Sequence, residues 1–425
     1  MKKILIIIIF LILIVPKNIL ASSITLVKVG NNYYDNLQDA INAATSSDII
    51  NLITNIETEN TLNINKSINI NLNGKTISAK EKVFLIEGGS LHLSGTGIIK
   101  ETNPNYGAIM IKGSKDKNDI NYSTLKVDAG ITLEGWSGIF ITHNNGLSYG
   151  VLVNTEATII SKKDANGITG AGIYINGTIK DSQNSPIINI NNKSIINSQG
   201  TGLYQAGYAT TNIDGANITG LESAISIKSG ILNIKSGTFT CIGPDFTPTT
   251  SNNNGINPSG ATLQIESNNN YKGNIKLNIT GGTFTSKNSH VIYEYTEKGS
   301  TSKIEDIKIS NGTYKSPKNI FSLSDSLENN HKNFISGGRY NQNIEEYLTY
   351  DYSLSKIDDM YVVTKSTMKE EMLKQTNRSN TIKLIIYILI LILLSLTIYQ
   401  NKTKLLKVIK FSKHNWHYIK NNIKW

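Results

Sequence analysis

The sequence has little of what usually carries chemistry. A single cysteine, Cys241, stands in 425 residues, which excludes an intrachain disulfide framework. Just after a phrase that ends in Phe239 and with no histidine close in sequence, it reads as a small buried side chain rather than a nucleophile. Only two arginines occur, Arg339 and Arg378. His92, His143, His290 and His331 are too far apart for local metal spacing, so no zinc site is expected. Asp116-Lys-Asn118-Asp119 starts like a calcium loop, but Ile120 takes the next ligand position, and the glycine and closing glutamate are missing. The glycine-rich stretches 88–97 and 168–172 lack the lysine and helix of a phosphate loop and read as turns. No cofactor is implied.

Acidic residues are absent from both ends. Residues 1–21 hold three lysines and residues 402–425 hold seven, with no acid in either stretch. Setting these ten aside from the 42 basic residues leaves 32 against 32 acids, so the formal charge of +10 belongs to the ends alone. A neutral body carries no broad nucleic-acid footprint.

What is present begins with an address. Lys2 and Lys3 precede twelve apolar residues, Ile4 to Val15, and small residues near Ala21. This is the layout of a secretory signal peptide over 1–21, with an uncleaved anchor as the alternative. Ile382 to Tyr399 forms an apolar run interrupted only by Lys383, Ser395 and Thr397. Its eighteen residues would span roughly 27 Å as a helix, against a hydrocarbon core of about 30 Å. A transmembrane helix is expected over 382–400, followed by a basic tail, 401–425, held inside by its lysines. Within the tail, Leu405, Val408, Ile409, Ser412, Trp416, Ile419 and Ile423 share a helical face flanked by lysines. That pattern suits the anionic inner leaflet, or a cytoplasmic partner. The polar stretch 365–381 reads as a stalk. No LPxTG-like sorting run precedes the apolar segment, so the helix and the bilayer are the expected anchor.

Between these ends the period changes. Leu37, Ala40, Ile41 and Ala44 fall at helical spacing behind Asp35 and Asn36. From Leu62 onward apolar and polar residues alternate, with asparagine, serine and glycine at the breaks. One phrase recurs: IKSGTF at 234, ITGGTF at 279, ISNGTY at 309 and ISGGRY at 335, with a looser version across Ile213 and Ile218. An apolar residue ends a strand, a glycine turns the corner and an aromatic starts the next strand. The glycines step by 22, 45, 30 and 26 from Gly215 through Gly237, Gly282 and Gly312 to Gly338. A solenoid circuit near 22 residues with insertions accounts for these steps, 45 being close to two circuits. Stacked corners would align the isoleucines and aromatics as inward rows, and asparagines as hydrogen-bonded rows. A string of antiparallel sandwiches competes, because Asn73-Gly74, Asn166-Gly167, Asn176-Gly177, Asn254-Gly255 and Asn311-Gly312 are hairpin dipeptides. Sandwiches would repeat near 100 residues rather than 22.

The phrase series, the opening NLQDAINAATSSDIINLITNI with its later LNGKTIS, and the ending ISGGRYNQNIEEYLTYDYSLSKIDDMYVV resemble adhesin-type surface proteins of low-GC bacteria. These belong to the pectin-lyase-like superfamily. The resemblance covers about 24–365, and residues 142–210 fit it poorly. It implies an all-β, right-handed parallel β-helix (solenoid) over 22–364, with a short N-terminal capping helix. The implied function is non-catalytic: a membrane-anchored cell-surface protein displaying loops for adhesion or ligand binding, to a surface glycan or to a host or neighbour protein.

A polysaccharide lyase or glycoside hydrolase of the same fold is the alternative, and a structural spacer a third. Lyases of this superfamily use an arginine beside acidic calcium ligands. Here Arg339 lies in the last corner and Arg378 in the stalk, and the one adjacent aspartate pair, Asp358-Asp359, reads as a hairpin turn. No catalytic residue is assigned. Trp136, Tyr149, Tyr174, Tyr204 and Tyr208 are the candidate ligand-binding residues, a contact strip if they face outward on one flank and core filling if they do not. The insertion 241–260, with three of the seven prolines and no alternation, is either a binding loop or a loose excursion.

Overall fold

The computed structural model describes residues 25–180, 183–246, 255, 257–297, 299–300, 304–324 and 333–422. The predicted signal peptide and His331 lie outside them, as does most of the stretch from 247 to 256. Two units are distinguished, the first ending at Thr349 and the second beginning at Tyr350.

The first unit opens with an antiparallel pair, Val27–Val29 with Asn32–Tyr34, and a helix, Leu37–Ala43. Asn36 caps the helix, its side-chain oxygen accepting from the amides of Gln38 (2.7 Å) and Asp39 (3.2 Å). At the other end Lys66 Nζ donates to the carbonyls of Asn42 (2.7 Å) and Ala44 (2.8 Å), placing a cation where helix carbonyls lack partners. Leu37, Ala40 and Ile41 are buried, the face the periodicity predicts.

Beyond the helix, strands pair in parallel with strands that come earlier in the chain. Three ladders result. The first contains Ser67–Asn71, Ser90–Ser94, Ser123–Val127 and Val151–Thr155. The second contains Ile56–Thr58, Lys75–Ala79, Gly97–Glu101 and Ile131–Gly135. The third is a separate ten-stranded sheet, starting from Leu62–Ile64, Phe84–Glu87 and Ile109–Lys112. Two long strands, Thr210–Gly220 and Gly230–Cys241, run through the corner between the first and second ladders and join them into one sheet. The stretch 142–210, where the repeat pattern fails in sequence, continues all three ladders without a break.

The recurring phrase occupies that corner. Its apolar residues pair in series, Ile213 with Ile234, Ile234 with Ile279 and Ile279 with Ile309. Its second row runs Ile218, Phe239, Phe284, Tyr314, Tyr340. The four rings stack at centroid distances of 4.7, 5.0 and 4.7 Å and are fully buried. Burying each is worth about 1.5–3 kcal/mol, with stacking in addition. Gly237, Gly282, Gly312 and Gly338 all have φ between +108° and +136°, and a Cβ at Gly312 would sit 2.8 Å from the Tyr314 hydroxyl. The corner demands glycine on both counts.

One expectation is corrected. Phe239 pairs directly with Phe284, so the 45-residue step joins adjacent strands and does not hold two repeats. Ile218 to Phe239 takes 21 residues, and the longer step carries an insertion between the strands ending at Cys241 and beginning at Leu263. The asparagine row does form: Asn189, Asn212 and Asn233 each donate to the asparagine of the adjacent earlier strand, at 2.8, 2.9 and 2.9 Å, starting from Asn154.

In the second unit Tyr352–Ile357 and Met360–Lys365 form an antiparallel hairpin with Asp358-Asp359 at its turn, Asp358 having φ +53°. A single helix, Ser366–Asn422, follows. The predicted stalk is thus helical and continuous with the apolar segment, because no glycine or proline occurs between 366 and 422 to stop it. The helix is long and apolar enough to cross a membrane. The hydroxyls of Ser395 and Thr397 bond to the carbonyls of Ile392 (2.7 Å) and Leu393 (2.5 Å) of their own helix, which lowers their cost in hydrocarbon.

Candidate functional site

In the third ladder inward and outward residues alternate, yet in its middle neither side meets solvent. Thr201–Gln205, Ser223–Ile227 and Leu263–Ser267 are buried at every position. Leu203, Ile225 and Leu263 belong to one face, and Phe140, Tyr174, Tyr204, Ser226 and Gln264 align along the other. That outer row is covered by chain following Cys241 and by Tyr271. The insertion is therefore not a loose excursion at its described residues: Gly260 donates to the Glu222 carbonyl (2.9 Å) and Ser259 Oγ to Gln264 Oε1 (3.1 Å).

Three of the five candidate aromatics come together there. Trp136 lies 5.3 Å from Tyr174, which stacks on Phe140 at 4.9 Å and touches Tyr204 at 4.8 Å. Tyr271 packs against the same cluster, whereas Tyr149 and Tyr208 are not part of it. Tyr149 is buried elsewhere, its backbone bridged to Ser114, and Tyr208 lies half-buried beside Gly273. The five do not form one strip, because Tyr174 and Tyr204 sit on strands of the third ladder while Tyr149 and Tyr208 lie outside the strands. Tyr271 escaped sequence reasoning, since its strand-to-strand loop carries no periodic signal.

Between the tyrosines and two loops lies a cavity of 410 Å³. Tyr174, Tyr204 and Tyr271 line it together with Asn176, Gly177, Thr178, Lys180, Asn270 and Lys272. Burial, and next the neighbouring Tyr271, pushes the Tyr174 and Tyr204 hydroxyls well above the ordinary tyrosine range. They remain protonated donors. The Tyr204 hydroxyl donates to the Gly255 carbonyl (2.9 Å) and lies 3.2 Å from that of Tyr271. Beside them Lys228 and Glu266 form an ion pair of 2.7 Å whose side chains are 1% and 2% exposed. The Trp136 end is fixed by buried Glu101, which accepts from the amides of Asn105 (3.0 Å), Tyr106 (2.8 Å) and Trp136 (2.9 Å).

Other chemistry-bearing residues are engaged separately. His92 meets Asp128 at 2.8 Å, His143 Nδ1 accepts from the Gly146 amide at 2.9 Å, and His290 Nδ1 meets the Asn319 carbonyl at 2.7 Å. Burial holds the His143 imidazole below its usual range. Asp116 accepts from the Asn118 amide at 2.9 Å, a local turn. Burial pushes the Cys241 thiol up to about 11, so it is not a ready nucleophile. Surface carboxylates meet lysines across the ladders: Glu134 with Lys162 (2.5 Å) and Lys100 (3.2 Å), Glu87 with Lys112 (2.7 Å), and Asp214 with Lys235 (2.7 Å). Arg339 lies in the last strand of the second ladder and Arg378 on the long helix. Among the described residues no three histidine, cysteine, aspartate or glutamate side chains gather as a metal site.

No family model, curated protein or solved structure matches the chain.

Proposed function

We propose that this chain is a non-catalytic bacterial surface protein, a right-handed parallel β-helix held to the cell by its C-terminal helix, which binds a glycan beside Tyr174, Tyr204 and Tyr271. The observation that carries this reading is the cavity of 410 Å³ with three tyrosines in its wall and amide, hydroxyl and lysine groups around them. Aromatic faces stack on the apolar face of a sugar ring, while asparagine, threonine and lysine serve its hydroxyls or acidic groups. The size suits a ligand of one to a few sugar rings, ligand cavities being about 300–1,000 Å³. The β-helix reading is supported by parallel registers in all three ladders and by circuits of 21 and 22 residues, Ile218 to Phe239 and Ile196 to Ile218. The pectin-lyase-like resemblance belongs to the same proposal.

Anchorage rests on the helix Ser366–Asn422 and on the lysines beyond Tyr399. The positive-inside rule puts that end in the cytoplasm and the ladders outside. A non-catalytic role is supported by the surface carboxylates, which are tied to lysines rather than converging in pairs across a groove.

The test is a titration of the full-length chain in detergent with neutral and acidic oligosaccharides, in a W416F/W425F background so that Trp136 alone reports. A saturable change in Trp136 emission, abolished in Tyr271→Ala, is expected. A panel without any response removes the glycan reading. Release of new sugar ends during the same incubation would replace it with the polysaccharide-degrading alternative.

A further inference from the structure

The pair beneath the insertion has a third member. Asn257 Nδ2 lies 2.9 Å from Glu266 Oε2, the oxygen that Lys228 Nζ approaches at 2.7 Å. One carboxylate oxygen thus joins a buried amine to a half-buried carboxamide. The surroundings exclude water: the ammonium lies over the rings of Tyr271 (4.6 Å) and Tyr204 (5.6 Å), and Lys228 also donates to the Gly255 carbonyl at 2.7 Å. Asn268 holds the other glutamate oxygen at 2.5 Å. A buried ion pair is a poor source of stability, because desolvation offsets most of its attraction. That one oxygen can carry a proton between the two nitrogens, the acid–base role that attack of an amine on an amide carbon requires.

We infer that Lys228, Glu266 and Asn257 form an intramolecular isopeptide site, in which Lys228 Nζ becomes bonded to Asn257 Cγ and ammonia is released. Glu266 takes one proton from Nζ, and the amine attacks Cγ. The carboxyl then delivers its proton to Nδ2 while recovering the second proton from Nζ. The Nζ–Cγ bond forms, the Cγ–Nδ2 bond breaks, and ammonia leaves with the two amide hydrogens and one from the lysine, the second lysine proton staying on Glu266. No oxidant or cofactor is required. Glu266 is the catalytic residue, at hydrogen-bond distance from both reacting nitrogens. The residue after Asn257 is Pro258, which lacks the amide N–H needed to close a cyclic imide, so loss of ammonia by that common route is barred. The product ties the insertion covalently to the third ladder, over the tyrosine cavity.

The experiment is tryptic digestion and fragment-ion mass spectrometry of the folded, full-length chain. A cross-link protects Lys228 from cleavage and joins residues 194–235 to 236–272 in one branched species, about 17 Da lighter than its parts. Fragment ions should place the junction on Lys228 and Asn257. Glu266→Gln and Asn257→Ala should return separate peptides, and Asn257→Asp should restore the link with loss of about 18 Da, as water rather than ammonia departs. Free Lys228 and Asn257 in the wild-type digest overturn the inference, whatever the variants do. A link from Lys228 to Glu266 itself, with loss of water, overturns the assigned roles. Neither outcome depends on a glycan being bound.

Discussion

Truncating Phe284 to alanine tests the stacked corner at its centre. The ring is fully buried, with Phe239 at 4.7 Å on one side and Tyr314 at 5.0 Å on the other. Removing a buried phenylalanine side chain costs about 3–5 kcal/mol. Two stacking contacts of about 0.5–1.5 kcal/mol each place this site near the top of that range, about 5 kcal/mol. Because the strand of Phe284 pairs only with those of Phe239 and Tyr314, the loss should be local. Hydrogen exchange followed by mass spectrometry should show faster exchange in Gly230–Cys241, Ile275–Ser286 and Thr313–Lys315, and unchanged protection around Ile77. Phe284→Tyr is the counterpart. Tyr314 and Tyr340 donate their hydroxyls to the carbonyls three residues back, Asn311 (2.9 Å) and Gly337 (3.0 Å). A tyrosine at 284 should find the Gly281 carbonyl in the same way and cost under about 1 kcal/mol. A cost below about 1 kcal/mol for Phe284→Ala, or loosening spread evenly over the chain, would refute the stacked corner.

Three further outcomes are expected. Gly312→Ala forces a Cβ against the Tyr314 ring at a φ of +122° and should cost about 1–3 kcal/mol in urea melts, more than Gly299→Ala, which has positive φ but open space. Asn212→Ala removes two hydrogen bonds of the asparagine row, about 1–3 kcal/mol, whereas Asn154→Ala removes one bond of that row and should cost about half as much in the same melts. The pH profile should carry a contribution from Glu134: burial alone would raise its pKa, but Lys162 and Lys100 hold it below the ordinary 4.5. Its stabilisation is therefore complete above 4.5 and lost as pH falls through the depressed value, and Glu134→Gln should flatten that acid limb. Glu101 has the opposite sign, since burial raises its pKa against the pull of its amide donors, and stability tied to it falls as pH rises past 4.5.

Much of this protein follows from local patterns. Strand alternation, the glycine-turned corner and the helix behind Asn36 were legible because each depends on a few neighbouring residues. The apolar run after Ile382 needed only its length. The inward rows followed too, because the face of a strand residue is set by counting in twos.

What only the tertiary structure decided is which strand meets which. Parallel pairing joins residues far apart in sequence, and insertions set that distance without leaving a periodic trace. The interval from Gly237 to Gly282 therefore read as two repeats, although its ends lie on adjacent strands. The same cause hid the site: Lys228 follows one strand, Glu266 lies on another and Asn257 belongs to the insertion, and nothing in their spacing foretold that they would share one carboxylate oxygen. Burial of the outer tyrosine row was equally beyond the pattern, because alternation marks two faces but cannot say which loop folds back to cover the second.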